Sequence, residues 1–446
     1  MRTTAAFLFA TLLPATSGAG AVATTTADGL REAIAADYDE YLAPLYVHFH
    51  RNPELSFREF ETAKRLAAEL RSLGIEVTEG LGQTGVVGIL ENGEGPRVLV
   101  RADMDGLPVK EDSGLDYASV ATQEDIDGVV KPVMHACGHD VHITTLVGTA
   151  RRLVEHRAEW SGTVMFVLQP AEERIGGARA MLEDGLYERF GVPDYALALH
   201  VSAGEPAGKV ALEPGLIASS SDSVDVTVYG IGAHGASPHK GKDPIYVASQ
   251  IVVALQSLVS RELAPLEPGV VTVGSFHGGF KHNIIPDRVE LELTVRSDSQ
   301  ETREKLLAGI ERIAEGVART AGLPDELMPT VEHGFESTPP TVNDPELVER
   351  LRSVFLETFG EEGMFTDVRE GMGAEDFAYF VETEHRVPGA YFVVGGTPQA
   401  DLDAEEAGGP PVPSHHSPFF RIEPAPAIKS GVEAMTRAVM ELLPAD

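Results

Sequence analysis

The chain is poor in cysteine, tryptophan and basic residues. Its 446 residues include one cysteine, Cys137, and one tryptophan, and 35 lysines and arginines stand against 69 aspartates and glutamates, a net charge of −34. A single cysteine excludes an internal disulfide, so Cys137 is either a packed thiol or a ligand. The large negative charge argues against nucleic acids and anionic membranes as partners.

Several signatures of known catalytic and binding sites are also absent. The sequence has no G-x-S-x-G elbow, which disfavours a serine nucleophile. It has no phosphate-binding P-loop and no H-E-x-x-H pair of the zincin metallopeptidases. No apolar run is long enough to span a bilayer. If the protein is an enzyme, its chemistry comes from another arrangement of side chains.

The N-terminus has the pattern of a secretory signal peptide. Arg2 precedes a short apolar run, Ala5 to Leu13, and small residues follow up to Ala21-Val22-Ala23, an A-x-A-like cleavage site. We therefore predict a signal peptide over residues 1–23 and a secreted or periplasmic protein. The alternative is a disordered N-terminal tail.

Most of the remaining chain alternates buried strands with amphipathic helices. This pattern predicts an α/β fold with a mixed, largely parallel sheet and helices on both faces. Largely apolar segments such as Val98–Ala102 and Thr163–Leu168 are typical of strands buried on both faces. The chain is too long for one compact core. We assign residues 28–213 and 332–446 to one catalytic domain.

A different pattern occupies residues 214–331. Ser223–Tyr229 and Arg288–Arg296 alternate between apolar and polar residues, as half-exposed strands do. The order β-α-β-β-α-β is that of a ferredoxin-like unit, so we predict an inserted domain here. The edges of such a small sheet can pair with a second subunit. We expect a homodimer, with a tetramer as the alternative.

One stretch concentrates candidate metal ligands. Val133–His142, with the sequence VMHACGHDVH, holds three histidines, one aspartate and Cys137. Nitrogen, sulfur and oxygen donors this close together indicate a transition-metal site; the alternative is a buried cysteine beside surface histidines. Further donors follow three predicted strands: Asp103 and Asp105, Glu172 and Glu173, and His200. Because ligands bind beyond the carboxyl ends of strands in such sheets, the combination favours a metal site.

Several motifs, in order, resemble one known family. The motifs HRNPELSFRE, RADMDGLPV, MHACGHDVH, LQPAEE, AHGASPH and HSPFF resemble the amidohydrolase branch of the aminoacylase/carboxypeptidase-G metallopeptidase family. That branch includes hippurate hydrolases, N-acyl-amino-acid amidohydrolases and auxin-conjugate hydrolases. The resemblance covers essentially the whole chain after the predicted signal peptide. It implies a metallopeptidase α/β domain with a ferredoxin-like dimerisation lid.

The resemblance implies a two-metal centre. Five residues match its ligands: Cys137, His139, Glu173, His200 and His416. The Cys137 thiolate is at the position that bridges the two ions. His415 beside His416 leaves an ambiguity of one residue, and we assign His416 because it precedes Ser-Pro-x-Phe, as in the family.

The resemblance also implies roles around the metals. Glu172 matches the general base, and Asp105 matches an acidic residue that supports a ligating imidazole. His234 matches a histidine that reaches the active site of the other subunit and stabilises the oxyanion. Asn283 and Arg296 match lid residues that face the substrate.

These assignments predict hydrolysis of the amide bond of N-acyl or N-aroyl amino acids, or related small conjugates, by a metal-activated water. Two divalent ions per subunit are expected, from among Zn, Mn, Co and Ni. A dipeptidase or carboxypeptidase on the same scaffold is the nearest alternative. A catalytically inactive binding protein with this fold is another, and the intact ligand set with Glu172 argues against it.

Overall fold

The structure is a computed structural model that describes residues 27–369 and 371–445. The predicted signal peptide, residues 1–23, lies outside these residues. Among the helices within them, none is long and apolar enough to cross a membrane.

Helices and strands alternate along most of the chain. The α-helices are α1 (Ala27–Asp37), α2 (Ala43–Arg51), α3 (Phe60–Ser72), α4 (His139–Glu155), α5 (Gly177–Glu183), α6 (Leu186–Phe190), α7 (Pro244–Ser257), α8 (Gln300–Thr320), α9 (Pro345–Phe359), α10 (Ala378–Val381), α11 (Gln399–Glu406) and α12 (Pro424–Leu442). The strands are β1 (Glu76–Leu81), β2 (Gly85–Asn92), β3 (Arg97–Asp103), β4 (Thr122–Glu124), β5 (Val130–Pro132), β6 (Gly162–Gln169), β7 (Tyr195–Pro206), β8 (Val210–Ala211), β9 (Gly215–Ala218), β10 (Ser220–Tyr229), β11 (Ala233–His234), β12 (Gly269–Gly278), β13 (Ile284–Ile285), β14 (Arg288–Ser297), β15 (Thr330–Thr338), β16 (Thr341–Asn343) and β17 (Gly389–Thr397).

Seven strands form the central sheet, in the order β1-β2-β6-β3-β7-β17-β8. The four middle strands, β6, β3, β7 and β17, run parallel to one another. Strands β2, β1 and β8 pair antiparallel toward the two edges. The predicted mixed, largely parallel α/β fold is therefore confirmed.

Both faces of the central sheet are covered by helices. In β3, Val98 and Val100 belong to the core beneath α4 and α12, whereas Leu99 belongs to the core on the opposite face with Met181 of α5 and Phe380 of α10. Burial on two faces explains why these strands are largely apolar instead of alternating between apolar and polar residues.

A second sheet has four antiparallel strands in the order β12-β14-β10-β15. Helices α7 and α8 pack on one face and share a separate hydrophobic core with it. The connection order is that of the predicted ferredoxin-like unit. We call the unit from Ser220 to Thr338 the lid. The boundary predicted at residue 331 falls inside β15, because the last strand of this sheet continues to Thr338.

Three local features of the structure have little signal in the sequence. Residues 397–413 contain α11, which buries none of its residues and so has no apolar pattern to reveal it. In the edge strand β1 only Leu81 is buried. Helices α1 and α2 are separated by a π-helical turn at Tyr38–Leu42.

Candidate metal centre

The candidate ligands converge at one edge of the central sheet. Strand β3 lies between β6 and β7, and all three run parallel. Asp105 and Glu172 follow the carboxyl ends of β3 and β6. His200 lies within β7, which continues to Pro206, but two residues beyond Ala198, the last β7 residue that pairs with β3. The three side chains therefore meet at this edge. Helix α4 begins at His139 on the same side.

Gly138 allows the start of α4 to approach β7. Its φ is +86°, and a Cβ added there would lie 2.3 Å from Cγ1 of Val201. Only glycine satisfies both constraints, which place Cys137 and His139 beside the strand that carries His200.

The Nε2 atom of His139 faces the site. Its Nδ1 lies 2.8 Å from the backbone carbonyl oxygen of Asp105 and must donate to it, so in the neutral imidazole Nε2 is an acceptor. This buried Nε2 has no hydrogen-bond partner among the described residues, and neither has Oε1 of Glu173, 3.8 Å away. Two buried, unpartnered acceptors facing each other are what a cation site leaves when its ligands are in place.

Cys137 belongs to two groups of donor atoms. In one, its Sγ lies 3.5 Å from Nε2 of His200, with His139 alongside. In the other it lies with Glu173 and His416, whose Oε2 and Nε2 are 3.5 Å apart. Tetrahedral ligands at ordinary metal distances are about 3.3–3.8 Å apart, a range that includes both of these distances.

The two glutamates stand on a tight turn between left-handed residues. Ala171 has φ +49° and Ile175 has φ +51°. The carboxylate of Asp105 accepts hydrogen bonds from the backbone N–H groups of Glu172 and Glu173, at 3.1 Å each. Asp105 therefore contacts two parts of the site. Its carboxylate binds the turn of the two glutamates, and its backbone carbonyl oxygen accepts from Nδ1 of His139.

Two further histidines border the ligand groups. His142 donates from Nδ1 to Asp103 at 2.6 Å and accepts at Nε2 from the backbone N–H of Val201 at 2.9 Å, so it has no lone pair to offer. His415 accepts at Nε2 from the backbone N–H of Ala203 at 3.1 Å, and its Nδ1 is 3.8 Å from Cys137 Sγ. The lone pair of His415 is therefore engaged, which favours His416 as the ligand.

The site has an excess of buried acids. Burial, with the carboxylates of Glu375 and Glu173, raises the pKa of Glu172 well above its usual range. Burial, partly offset by His139, raises the pKa of Glu173 to about 8. Burial and the two glutamates also raise the pKa of the Cys137 thiol. A divalent cation here would return these groups to their ionised forms, so the donor set fits a metal centre.

The donors open into a cavity of about 710 Å³ between the central sheet and the lid. Arg296, on lid strand β14, lines it together with Cys137 and Glu172. The half-buried Arg296 side chain forms no hydrogen bond or ion pair with any residue that the structure describes. Glu375, which belongs to none of the sequence motifs, also lines the cavity, where its carboxylate accepts a hydrogen bond from Tyr391 Oη at 2.6 Å.

Two predicted site residues lie elsewhere. His234 and Asn283 are exposed on the two-stranded ribbon of β11 and β13, where Gly235 donates to the carbonyl oxygen of Asn283 at 2.8 Å. Neither lines the cavity. One chain therefore brings together the predicted ligands, Glu172, Asp105 and Arg296, but not His234 and Asn283.

A cavity at the carboxyl ends of parallel strands, lined by two donor groups and an adjacent carboxylate, defines the protein as a metal-dependent hydrolase. Residues 99–441 match Peptidase family M20/M25/M40, and the chain belongs to this family. It is a metal-dependent amidohydrolase.

Similar proteins share most of the chain. The hippurate hydrolase of Campylobacter jejuni is 40% identical over 334 residues, which cover 75% of this chain and 83% of that protein. Thermostable carboxypeptidase 2 of Saccharolobus solfataricus is 36% identical over 387 residues, 86% of this chain and 91% of that protein. A Bacillus subtilis crystal structure, described as a dinuclear metal-binding peptidase of the M20 family, has a TM-score of 0.71 and 28% identity, covering 92% of this chain and 99% of that one. The predicted branch of the family is confirmed.

Proposed function

We propose that this protein hydrolyses the amide bond of N-acyl or N-aroyl amino acids at a centre of two divalent metal ions, releasing an amino acid and a carboxylic acid. The observation that carries the proposal is the pair of donor groups, which have Cys137 alone in common. His139 and His200 are proposed to bind one ion, Glu173 and His416 the other, and Cys137 both.

A metal centre of this kind polarises the amide carbonyl and lowers the pKa of a water molecule. Glu172 is proposed as the general base. Its Oε2 lies 3.8 Å from His139 Nε2, at the edge of the donor groups. From there the carboxylate accepts a proton from the water and delivers it to the leaving nitrogen.

Arg296 is proposed to bind the α-carboxylate of the substrate. Its guanidinium is half-buried in the cavity wall and is not used by any described side chain. Guanidinium groups recognise carboxylates with two parallel hydrogen bonds, which fix orientation as well as charge. The amino-acid half of an N-acyl amino acid supplies such a carboxylate close to the scissile bond.

A second copy of the chain is proposed to complete the site. His234 and Asn283 are exposed on the lid and do not reach the cavity of their own chain. Paired lids would present them to the other copy, where His234 would stabilise the oxyanion. The division into a catalytic domain and a dimerisation lid belongs to this proposal, as does export directed by residues 1–23.

A substrate screen tests the reaction. The purified protein is treated with a chelator, reloaded in parallel with Zn²⁺, Mn²⁺ or Co²⁺, and assayed on hippurate, N-acetyl amino acids and free dipeptides. Hippuramide, which lacks the carboxylate, is the matched control. We expect metal-dependent cleavage of hippurate and little cleavage of hippuramide. A reloaded protein that cleaves none of the substrates would sink the proposal.

Carboxypeptidase activity is the second candidate. A carboxypeptidase of S. solfataricus is among the similar proteins, and an unpaired Arg296 suits a C-terminal carboxylate equally well. Adding N-acyl dipeptides to the screen separates the two, since a carboxypeptidase prefers acylated peptides to simple N-acyl amino acids.

A further inference from the structure

We propose that Phe335 of the lid is a positioning residue for the turn that presents Glu172 and Glu173, so that the seating of the lid sets the geometry of both carboxylates. This inference rests on the proposed function, in which Glu172 is the base and Glu173 a ligand.

The turn needs support because its backbone is strained at both ends. Ala171 and Ile175 have left-handed φ values, which residues other than glycine adopt only where their surroundings impose them. The inner side is held by two buried acids. Asp105 accepts from the N–H groups of both glutamates, and Glu59 accepts from the N–H of Ala171 at 2.8 Å.

The outer side of the turn is closed by the lid. A Cβ added at Gly176, the residue after Ile175, would lie 2.1, 2.7 and 3.0 Å from three atoms of the Phe335 ring. These are the three nearest atoms, so the ring itself occupies the space above the turn. Gly176 has φ −148°, outside the left-handed region. Glycine is therefore required here by the contact with Phe335 and not by the backbone conformation.

Further contacts seat Phe335 in this place. Arg179 donates to the carbonyl oxygen of Phe335 at 2.5 Å, and its guanidinium carbon lies 4.3 Å from the centre of the Phe335 ring. Arg174, within the turn, forms an ion pair with Glu336 at 2.7 Å. Phe335 and Glu336 lie near the end of β15, the lid strand that leads back into the catalytic domain. A change in lid orientation consequently moves the outer support of the two glutamates.

A double-mutant cycle tests the contact. Gly176→Ala, Phe335→Ala and the double variant are compared with wild type, and Gly316→Ala is the matched control because its added Cβ would meet nothing within 4 Å. The measurements are kcat and KM on hippurate, the melting temperature, and the visible spectrum of the Co²⁺-loaded proteins. The spectrum reports on the ligand geometry without requiring turnover.

We expect Gly176→Ala to lower kcat at least about tenfold, with a smaller change in KM, because the added methyl group displaces the turn. Adding Phe335→Ala should restore kcat to the level of the Phe335→Ala single variant, and the Co²⁺ spectrum should follow the same order. Effects that multiply independently, or a Gly176→Ala protein with wild-type kcat and spectrum, would overturn the proposal.

Two further outcomes are decisive. If Gly176→Ala does not accumulate, the Phe335→Ala variant decides. An unchanged kcat and Co²⁺ spectrum in Phe335→Ala overturn the proposal. A lowered kcat and an altered Co²⁺ spectrum in Phe335→Ala, at an unchanged melting temperature, support it. If wild type cleaves no amide, the proposed function fails. A Co²⁺ spectrum that shifts in Gly176→Ala and returns in the double variant still supports the positioning.

Discussion

The glutamate turn and the β11–β13 ribbon differ in how completely one chain builds them. Glu172 is 7% exposed, and the backbone of its turn is bound by Asp105 and Glu59. His234 and Asn283 are exposed on a ribbon of two short strands. The half of the predicted site that carries the candidate metal ligands is therefore organised within one chain. The other half has the exposure expected of groups that act on a second copy.

The largest expected effect is at the turn. Glu172→Gln keeps the shape of the side chain but removes the basic oxygen, so turnover of hippurate should fall about 10⁴-fold, the upper end for general-base catalysis. Metal content, measured by mass spectrometry of the purified protein, should stay near that of wild type. A parallel loss of metal would show that Glu172 is a ligand and would remove the base from the proposed mechanism.

His234→Ala tests the ribbon and should cost about 10²- to 10³-fold in kcat, as removal of one oxyanion donor does. Mixing it with Glu172→Gln should restore activity, because a mixed dimer has one site with both residues intact. Random exchange of subunits gives about one quarter of wild-type activity per chain. Mixtures no more active than the separate variants would contradict a site shared between copies.

Arg296 joins the two regions, since it belongs to the lid but lines the cavity. Arg296→Met should lower kcat/KM for hippurate about 10- to 100-fold, the loss expected when a hydrogen bond to a charged group is removed. The weak cleavage of hippuramide should hardly change. Equal losses on both substrates would assign Arg296 to structure and not to recognition of the carboxylate.

The smallest effect on activity is expected from His50, which anchors the start of α4. Its Nδ1 lies 2.7 Å from Asp140 and its Nε2 lies 3.1 Å from Glu111. Burial lowers the pKa of His50, but the two carboxylates outweigh it and raise the pKa to about 9. Because the folded pKa exceeds the unfolded value, the stabilisation is complete below about pH 6.5 and is lost as the pH rises through about 9.

Urea unfolding measures how much His50 contributes to the free energy of unfolding. The free-energy difference between wild type and His50→Gln should be about 3 kcal/mol larger at pH 6 than at pH 10. His282→Gln, an exposed change on the lid, should leave the free energy of unfolding unchanged at both values. If the free-energy difference between wild type and His50→Gln does not vary with pH, His50 is not held as a buried cation.

The same contrast explains how far the sequence could predict the site. The positions of Asp105 and Glu172 follow from strand topology, because the carboxyl ends of parallel strands meet. His200 lies within β7, which continues to Pro206, so a strand end does not explain its position. The structure favours His416 over His415 as the ligand because Nε2 of His415 accepts a hydrogen bond from the backbone N–H of Ala203 in β7. The spacing of residues in the motif does not contain this information. The contact of Phe335 with Gly176 joins residues far apart in sequence, and neither belongs to a motif.

The sharing of Cys137 between both donor groups has a practical consequence. Since the chain has no other cysteine, any thiol reagent applied to the native protein acts at one sulfur atom, at the centre of the site. The rate of its labelling is therefore a direct gauge of whether the centre is filled, without a tag, a mutation or a substrate.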